Sequence, residues 1–329
     1  MVNDYINILY FSGDRSDYQI ILPVMKLLPG KLIACHDVPC DKRIYLTGDI
    51  QAQVAKVINE RFEADYLYIV GDRYEAFAAA AASFFQRIPI AHQGGGAITE
   101  GGCFDDQLRH AITKLAHLHF VSCREHYDNL IKLGEEPWRI TISGNTLPDR
   151  ETGEAEPCDI LFTQHAIPGQ DAQAQIRESL SALAELNMPT IITYPNPDPG
   201  REEILDEFTN WRHVKCFRFI PNLGDRYTAT MKNAKVVVGN SSSGIIETSF
   251  FGVPCVNIGD RQKGRARAEN VIDVPYDREK IKQAILEAVN MERVCSDKFK
   301  GGGAAAIVSK LKEHFGDERL LKKGIYSCA

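Results

Sequence analysis

VVVGNSSSGIIETSFFGVPCVNIGDRQKGR, residues 236–265, decides the architecture. An apolar run ends at Gly239 and a polar turn, Asn240-Ser241-Ser242-Ser243-Gly244, leads into a helix from Gly244. VPCVNIG then restores a buried strand. Strand, turn, helix and strand in that order predict a parallel sheet covered by helices. The alternation continues upstream through DILFTQHA (159–166), a helix from Ala172 to Leu186, PTIITYPN (189–196) and VKCFRFI (214–220). Downstream, the chain from Arg278 reads as largely helical, interrupted by GGGAAA at 301–306.

The first half repeats the pattern. INILYFSG (6–13), ADYLYIVGD (64–72), IPIAH (88–92) and LHFVSC (118–123) read as strands. Between them, helices are expected at Tyr18 to Leu28, through EAFAAAAASFF (75–85) and at Gln107 to Leu115. The segment GNTLPDRETGEAEPC (144–158) is polar, aperiodic and holds two prolines, so a domain boundary is expected there. The expectation is an α/β protein of two Rossmann-like, doubly wound domains, 1–150 and 151–329, the second with a helical tail. Ligand chemistry is expected at the carboxyl ends of the strands and in a cleft between the domains.

Composition narrows the function. The chain has 329 residues, 25% of them charged, and a net charge of -6. No basic stripe is present, so no nucleic-acid partner is expected. No apolar run is long enough to span a bilayer. No cationic segment followed by a long apolar run opens the sequence, so no membrane and a cytoplasmic location are expected. The nine cysteines are scattered without a Cys-x-x-Cys pair, as reduced thiols would be. Cys35 and Cys40 flank His36, but no second ligand pair follows, so no metal site and no cofactor are expected.

In residues 236–265 the serine turn opens a helix, where free N–H groups and the helix dipole favour a phosphate. Ser241, Ser242 and Ser243 add hydroxyl donors, and Glu247, one turn on, suits the vicinal hydroxyls of a ribose. Arg261, Lys263, Arg265 and Arg267 supply local positive charge. The plainer reading is a capped helix with a solvated glutamate. Gly-Asp-Arg recurs at two strand ends, 13–15 and 71–73, placing Arg15 and Arg73 for a diphosphate. Position alone makes Asp72 a helix cap or a carboxylate base, and favours the cap. In AHQGGGAITEGGCFDD, His92 precedes a run with five glycines in nine residues, and Asp105 and Asp106 then open a helix. Capping explains that acidic pair; the adjacent glycine loop adds an acid–base role. His165 ends a strand, and Asn196 sits in a proline-ruled loop where it can touch a base or sugar. His117 and His119 alternate along a strand and read as structural.

GDRSDY (13–18), IVGDRYEA (69–76), DDQLRHAITKLAHLHF (105–120), TYPN (193–196), GNSSSGIIE (239–247), FGVPCVNIGDRQKGR (251–265) and ENVIDV (269–274) occur in order. Over residues 10 to 275 the chain resembles the hydrolysing UDP-N-acetylglucosamine 2-epimerases of sialic-acid-type sugar biosynthesis. The resemblance implies a glycosyltransferase-B-like fold, a UDP-amino-sugar partner, a UDP-binding second domain and a homodimer. It implies release of UDP and N-acetylmannosamine. Arginines and a helix N-terminus can neutralise the diphosphate without a metal ion, and metal independence is expected. It places Ser241, Ser242, Ser243, Glu247, Arg261, Asn196, His165, His92, Arg15 and Arg73 around the substrate. Asp72, Asp105 and Asp106 become candidates for proton transfer, with His165 beside them, and this reverses the capping preference for Asp72. Where the family usually has a His-Gly-Gly-Glu-like run, this chain has Gly94-Gly95-Gly96-Ala97, and the following loop is about one residue longer. Glu100, in that loop, is the expected substitute. The alternatives are a non-hydrolysing epimerase, a glycosyltransferase on the same scaffold, and a UDP-sugar-binding protein that has lost catalysis through the altered loop.

Overall fold

The structure is a computed structural model that describes residues 6–13, 15–35, 43–45, 56, 59, 61–99, 105–146, 153–196 and 199–327; residues 15, 16 and 43–45 are described by backbone alone. Asp14, His36, Cys40, Glu100 and residues 147–152 of the expected boundary segment lie outside the described residues. The chain divides into two units: 1–97 with 104–150 and 300–329, and 98–103 with 151–299.

In the first unit, β1 (Ile8–Ser12) leads into α1 (Arg15–Leu27), and β2 (Lys31–Ala34) and β3 (Arg43–Tyr45) follow. Next come β4 (Tyr66–Val70), α2 (Tyr74–Phe85), β5 (Ile90–Gln93), α3 (Asp105–Leu115), β6 (Leu118–Val121), α4 (Arg124–Lys132) and β7 (Ile140–Ile142). All pairings are parallel, and the sheet order is β3-β2-β1-β4-β5-β6-β7. Both faces are dry. Ile8 and Tyr10 belong to one buried cluster, Leu9 and Phe11 to the other, as a helix-covered parallel sheet requires.

The second unit repeats this winding. Its elements are β8 (Ile160–Thr163), α5 (Ala172–Leu186), β9 (Thr190–Thr193), α6 (Arg201–Trp211), β10 (Phe217–Ile220), α7 (Arg226–Asn233), β11 (Val236–Gly239), α8 (Ser242–Phe251), β12 (Cys255–Ile258), β13 (Val271–Val274) and α9 (Arg278–Ala288). The sheet order is β10-β9-β8-β11-β12-β13, again parallel. Ile160 and Phe162 face one buried cluster and Leu161 the other.

The C-terminal segment departs from the sequence expectation. GGGAAA is only in part an interruption, because α10 (Gly303–Glu313) begins inside it at Gly303. That helix buries Ala304, Ile307, Val308 and Leu311 beside Ile21 and Val24 of α1. The tail beyond residue 299 therefore belongs to the first unit, although it follows the second in sequence. Arg139, 1% exposed, fastens it by donating to the carbonyls of Leu320, Arg319 and Lys322.

Strand order reverses beside β1 and β4 in the first unit, and beside β8 and β11 in the second. At such a switch point the connections from neighbouring strands run to opposite faces, which leaves a crevice beyond their carboxyl ends. At the second switch point the strands approach closely. Gly239 has φ 134° and pairs with Thr163, and a Cβ at that position would overlap the Thr163 carbonyl. Gly239→Ala is expected to cost at least the ~1–3 kcal/mol of a strained backbone position. Chemical denaturation of the variant checks this, and an unfolding midpoint equal to wild type would refute it.

Candidate active site

In the first unit the loop after β4 carries Asp72 and the first turn of α3 carries Asp106. Arg109 joins them: Nη2 donates to Asp72 Oδ2 and Nη1 to Asp106 Oδ1, while Nη1 also reaches the Ala97 carbonyl at 2.9 Å. Arg109 is 2% exposed, whereas the side chains of Asp72 and Asp106 keep 24% and 26% of their surface. A buried guanidinium thus presents two carboxylates at one edge of the unit. The i, i+3 spacing on α3 brings Asp106 over Arg109, and the end of β4 supplies Asp72. Asp72 Oδ1 has no partner among the described residues. Sequence reading named both carboxylates and missed Arg109, although it lies in the RHAITKL stretch.

Other predicted residues of this unit fall differently. The Arg73 fork meets Glu75 at 3.2 Å through both Nε and Nη2, and its stem covers Gly13. Arg73 is therefore held by its own helix. Arg15 is the first residue of α1. Asp105 opens α3. Glu100 lies outside the described residues. His92 is fully buried and Nε2 donates to the Gly71 carbonyl at 2.8 Å, supporting the turn that carries Asp72. Burial pushes its pKa down to about 3. His117 accepts the Ile90 N–H through Nδ1, and His119 meets the buried Glu135 at 3.0 Å. Both belong to the interior of this unit.

In the second unit, three predicted groups assemble around one residue that the sequence reading passed over. Asn240 is fully buried; its Oδ1 accepts the His165 N–H at 2.7 Å and its Nδ2 donates to the His165 carbonyl at 2.8 Å. Its own carbonyl accepts Arg261 Nη1 at 3.2 Å and Gln262 Nε2 at 2.9 Å. The His165 ring accepts the Asn196 N–H at Nδ1, 3.0 Å away, so the proton of the neutral ring sits on Nε2. Burial, with Arg261 adding repulsion, lowers the His165 pKa to about 3. His165 is accordingly a neutral hydrogen-bond donor near neutrality. Apart from the Asn240 carbonyl, the Arg261 guanidinium has no partner among the described residues.

Ser241 is the N-cap of α8 without a side-chain cap bond, so its hydroxyl is not spent on the helix. Ser243 Oγ donates to Ser241 Oγ at 3.0 Å and meets the Tyr227 hydroxyl at 2.7 Å. Ser242 is the first residue of the helix, and Glu247 lies buried on its second turn. The helix start, half-buried serines, Arg261 and the His165 donor share the carboxyl ends of β8, β11 and β12. Arg267 is taken up by Asp273, and Arg265 Nη2 reaches Thr99 at 3.2 Å. Arg261 is tied directly to this strand-end cluster through the Asn240 carbonyl.

No group of His, Cys, Asp and Glu suited to a metal ion occurs among the described residues, and no helix among them is long and apolar enough to cross a membrane. The fold is glycosyltransferase-B-like. A solved UDP-GlcNAc 2-epimerase from Methanocaldococcus jannaschii, in complex with UDP-GlcNAc and UDP, superposes with a TM-score of 0.78 at 17% identity, over 94% of this chain and 100% of that one. The profile of the UDP-N-acetylglucosamine 2-epimerase family matches residues 37–312, and the chain belongs to that family. A Campylobacter jejuni relative, named GDP/UDP-N,N'-diacetylbacillosamine 2-epimerase (hydrolyzing), is 37% identical over 236 residues, 65% of this chain but only 61% of the relative's length. A Legionella pneumophila relative, named UDP-N,N'-diacetylbacillosamine 2-epimerase (hydrolyzing), is 27% identical over 90% of this chain and 92% of its own.

The buried histidines give the protein an acid limit. Free imidazoles protonate near pH 6.5, but folding lowers the values of His92 and His165 to about 3 and of His117 to about 4. Between those values the unfolded chain binds more protons than the folded one, so stability falls as pH drops. The urea midpoint is expected to be flat above pH ~7 and to decline from pH ~6.5 to 5. A midpoint constant across that interval would contradict the buried neutral state.

Proposed function

We propose that this protein is a metal-independent, hydrolysing 2-epimerase of a UDP-linked 2-acetamido sugar. The substrate is UDP-N-acetylglucosamine or a UDP-diacetamido-trideoxyhexose, and the products are UDP and the free manno-configured sugar. The observation that carries the reading is the Asp72–Arg109–Asp106 arrangement, which presents two carboxylates on a fixed cation. The names of the Campylobacter and Legionella relatives favour the hydrolysing form and make the diacetamido substrate the first to try.

Chemistry accounts for the residue types. A base takes the proton from C2, the C1–O bond to UDP breaks, and the electron pair of the C–H bond becomes the C1=C2 bond of a glycal. Water then adds across that bond, oxygen to C1 and a proton to C2 from the opposite face. Asp72, with Oδ1 unpartnered among the described residues, is assigned the base, and Asp106 the second proton-transfer group. Arg109 keeps the two carboxylates in place. The α8 N-terminus, Ser241, Ser242, Arg261 and the His165 Nε2–H are assigned to the diphosphate, whose negative charge grows as UDP departs. Glu247 is assigned to the ribose hydroxyls. Ser243 belongs to the serine turn, and Asn196 sets the His165 ring.

The reading is tested by following each UDP-sugar with the protein in deuterated water by proton NMR. Free UDP together with a manno sugar deuterated at C2 is expected. Exchange at C2 with the nucleotide–sugar bond intact would make the protein a non-hydrolysing epimerase, and binding with neither change a UDP-sugar-binding protein. Asp72→Asn is expected to lower kcat by about 10²–10⁴-fold while UDP affinity, read by calorimetry, stays within about 2-fold. Full turnover in Asp72→Asn would remove that residue from the mechanism.

A further inference from the structure

We propose that Asn240 is a positioning residue for the reaction, acting through His165; the role rests on the UDP-sugar reading above. The β8–β11 ladder ends with Gly239 opposite Thr163, and the Asn240 N–H still reaches the Thr163 carbonyl at 3.1 Å. One residue later the chains part, β11 turning into α8 and β8 running on into the loop that holds Ile167 and Gly169. There the Asn240 side chain replaces the missing strand. A carboxamide carries the acceptor and donor of a peptide unit, and this one pairs with the N–H and the carbonyl of the same residue, His165.

The remaining amide proton goes to the Tyr276 hydroxyl at 3.1 Å, so the acceptor and both donor protons of the buried group are used. Tyr276 follows β13, and its ring lies where a Cβ on Gly259, after β12, would sit. Gln262 and Arg261 hold the Asn240 carbonyl from the other side. One amide therefore ties together the chain ends after β8, β11, β12 and β13. The Asn196 N–H then fixes the ring of the residue so gripped. With backbone and ring both set, His165 Nε2–H has one direction in which to donate.

No shorter or differently charged side chain does this. Serine does not reach both groups of His165. Aspartate keeps the acceptor for the N–H but sets an oxygen against the His165 carbonyl and places a charge in a fully buried position. The His165 effect is therefore expected to vanish with Asn240 even though Asn240 does not touch the substrate.

The test is a double-mutant cycle of Asn240→Ala and His165→Ala in the full chain, read by calorimetric UDP affinity and by kcat for UDP release. Each single variant is expected to lose about 10–10²-fold in kcat, the scale of a misplaced group. The double variant is expected to fall within about 2-fold of His165→Ala alone, because coupled residues are not additive. If Asn240→Ala does not fold, as seen by circular dichroism, the cycle is run with Asn240→Asp, which retains Oδ1. Multiplicative losses in the cycle, or an Asn240 variant with wild-type kcat, would overturn the positioning role. Wild-type protein that neither binds UDP nor releases it would instead overturn the UDP-sugar reading.

Discussion

The candidate groups of each unit stand where they do because strands that are not consecutive in the chain pair in parallel, β1 with β4 in the first and β8 with β11 in the second. Parallel neighbours in a doubly wound sheet need crossovers, and on either side of these pairs the crossovers run to opposite faces. The strand ends there cannot continue the ladder, so their last peptide groups must find other partners or a ligand. Asp72 follows the end of β4, while His165 and Asn240 follow β8 and β11. The fold does not select a chemistry by itself, but it fixes where exposed polar groups can be both rigid and reachable.

Charge is handled by concentration. The chain carries a net charge of -6, so a dianionic nucleotide gains nothing from the overall field. In the second unit, Arg261, the α8 N-terminus and a histidine donor meet within one set of strand ends, which supplies local positive potential without an excess of basic residues. In the first unit the balance is reversed: one buried arginine serves two partly exposed carboxylates. Burying Arg109 is sustainable because carboxylates and the Ala97 carbonyl replace its lost water.

The architecture was legible where hydrophobic runs were long and bounded by glycine or polar turns. The α5 helix matches its expected limits, Ala172 to Leu186, because its apolar face has helical period and Asp171 caps it. Short strands such as β2, β3, β7 and β13 escaped notice, since three or four residues carry little periodicity. The position of α10 was unreadable for another reason. Its partner surface is α1, separated from it by most of the chain, and local pattern cannot name a distant partner. Site residues show the same split. Asp72, Asp106, His165 and the serine turn stand beside strand ends and could be found there. Arg109 and Asn240 were overlooked because their work is done through side-chain geometry, not by residue type. The Glu75 contact of Arg73 was equally hidden, since an arginine at a strand end gives no sign that a glutamate two residues on will meet it.

The two overlooked residues share a property that separates them from the groups they support. Arg109 and Asn240 are almost wholly buried and fully committed to protein partners, whereas Asp72, Asp106 and Arg261 retain accessible surface. Water must leave a site for its electrostatics to act strongly, yet an unpaired group cannot be left dry. A buried residue that satisfies several half-exposed ones meets both demands, because it sets their orientation without competing for the ligand. His165 marks the boundary between these roles: burial and its neighbours keep it neutral, and the Asn196 N–H occupies one ring nitrogen, so Nε2–H is the ring's remaining donor. A histidine so held is suited to donating a hydrogen bond and unsuited to taking a proton near neutrality.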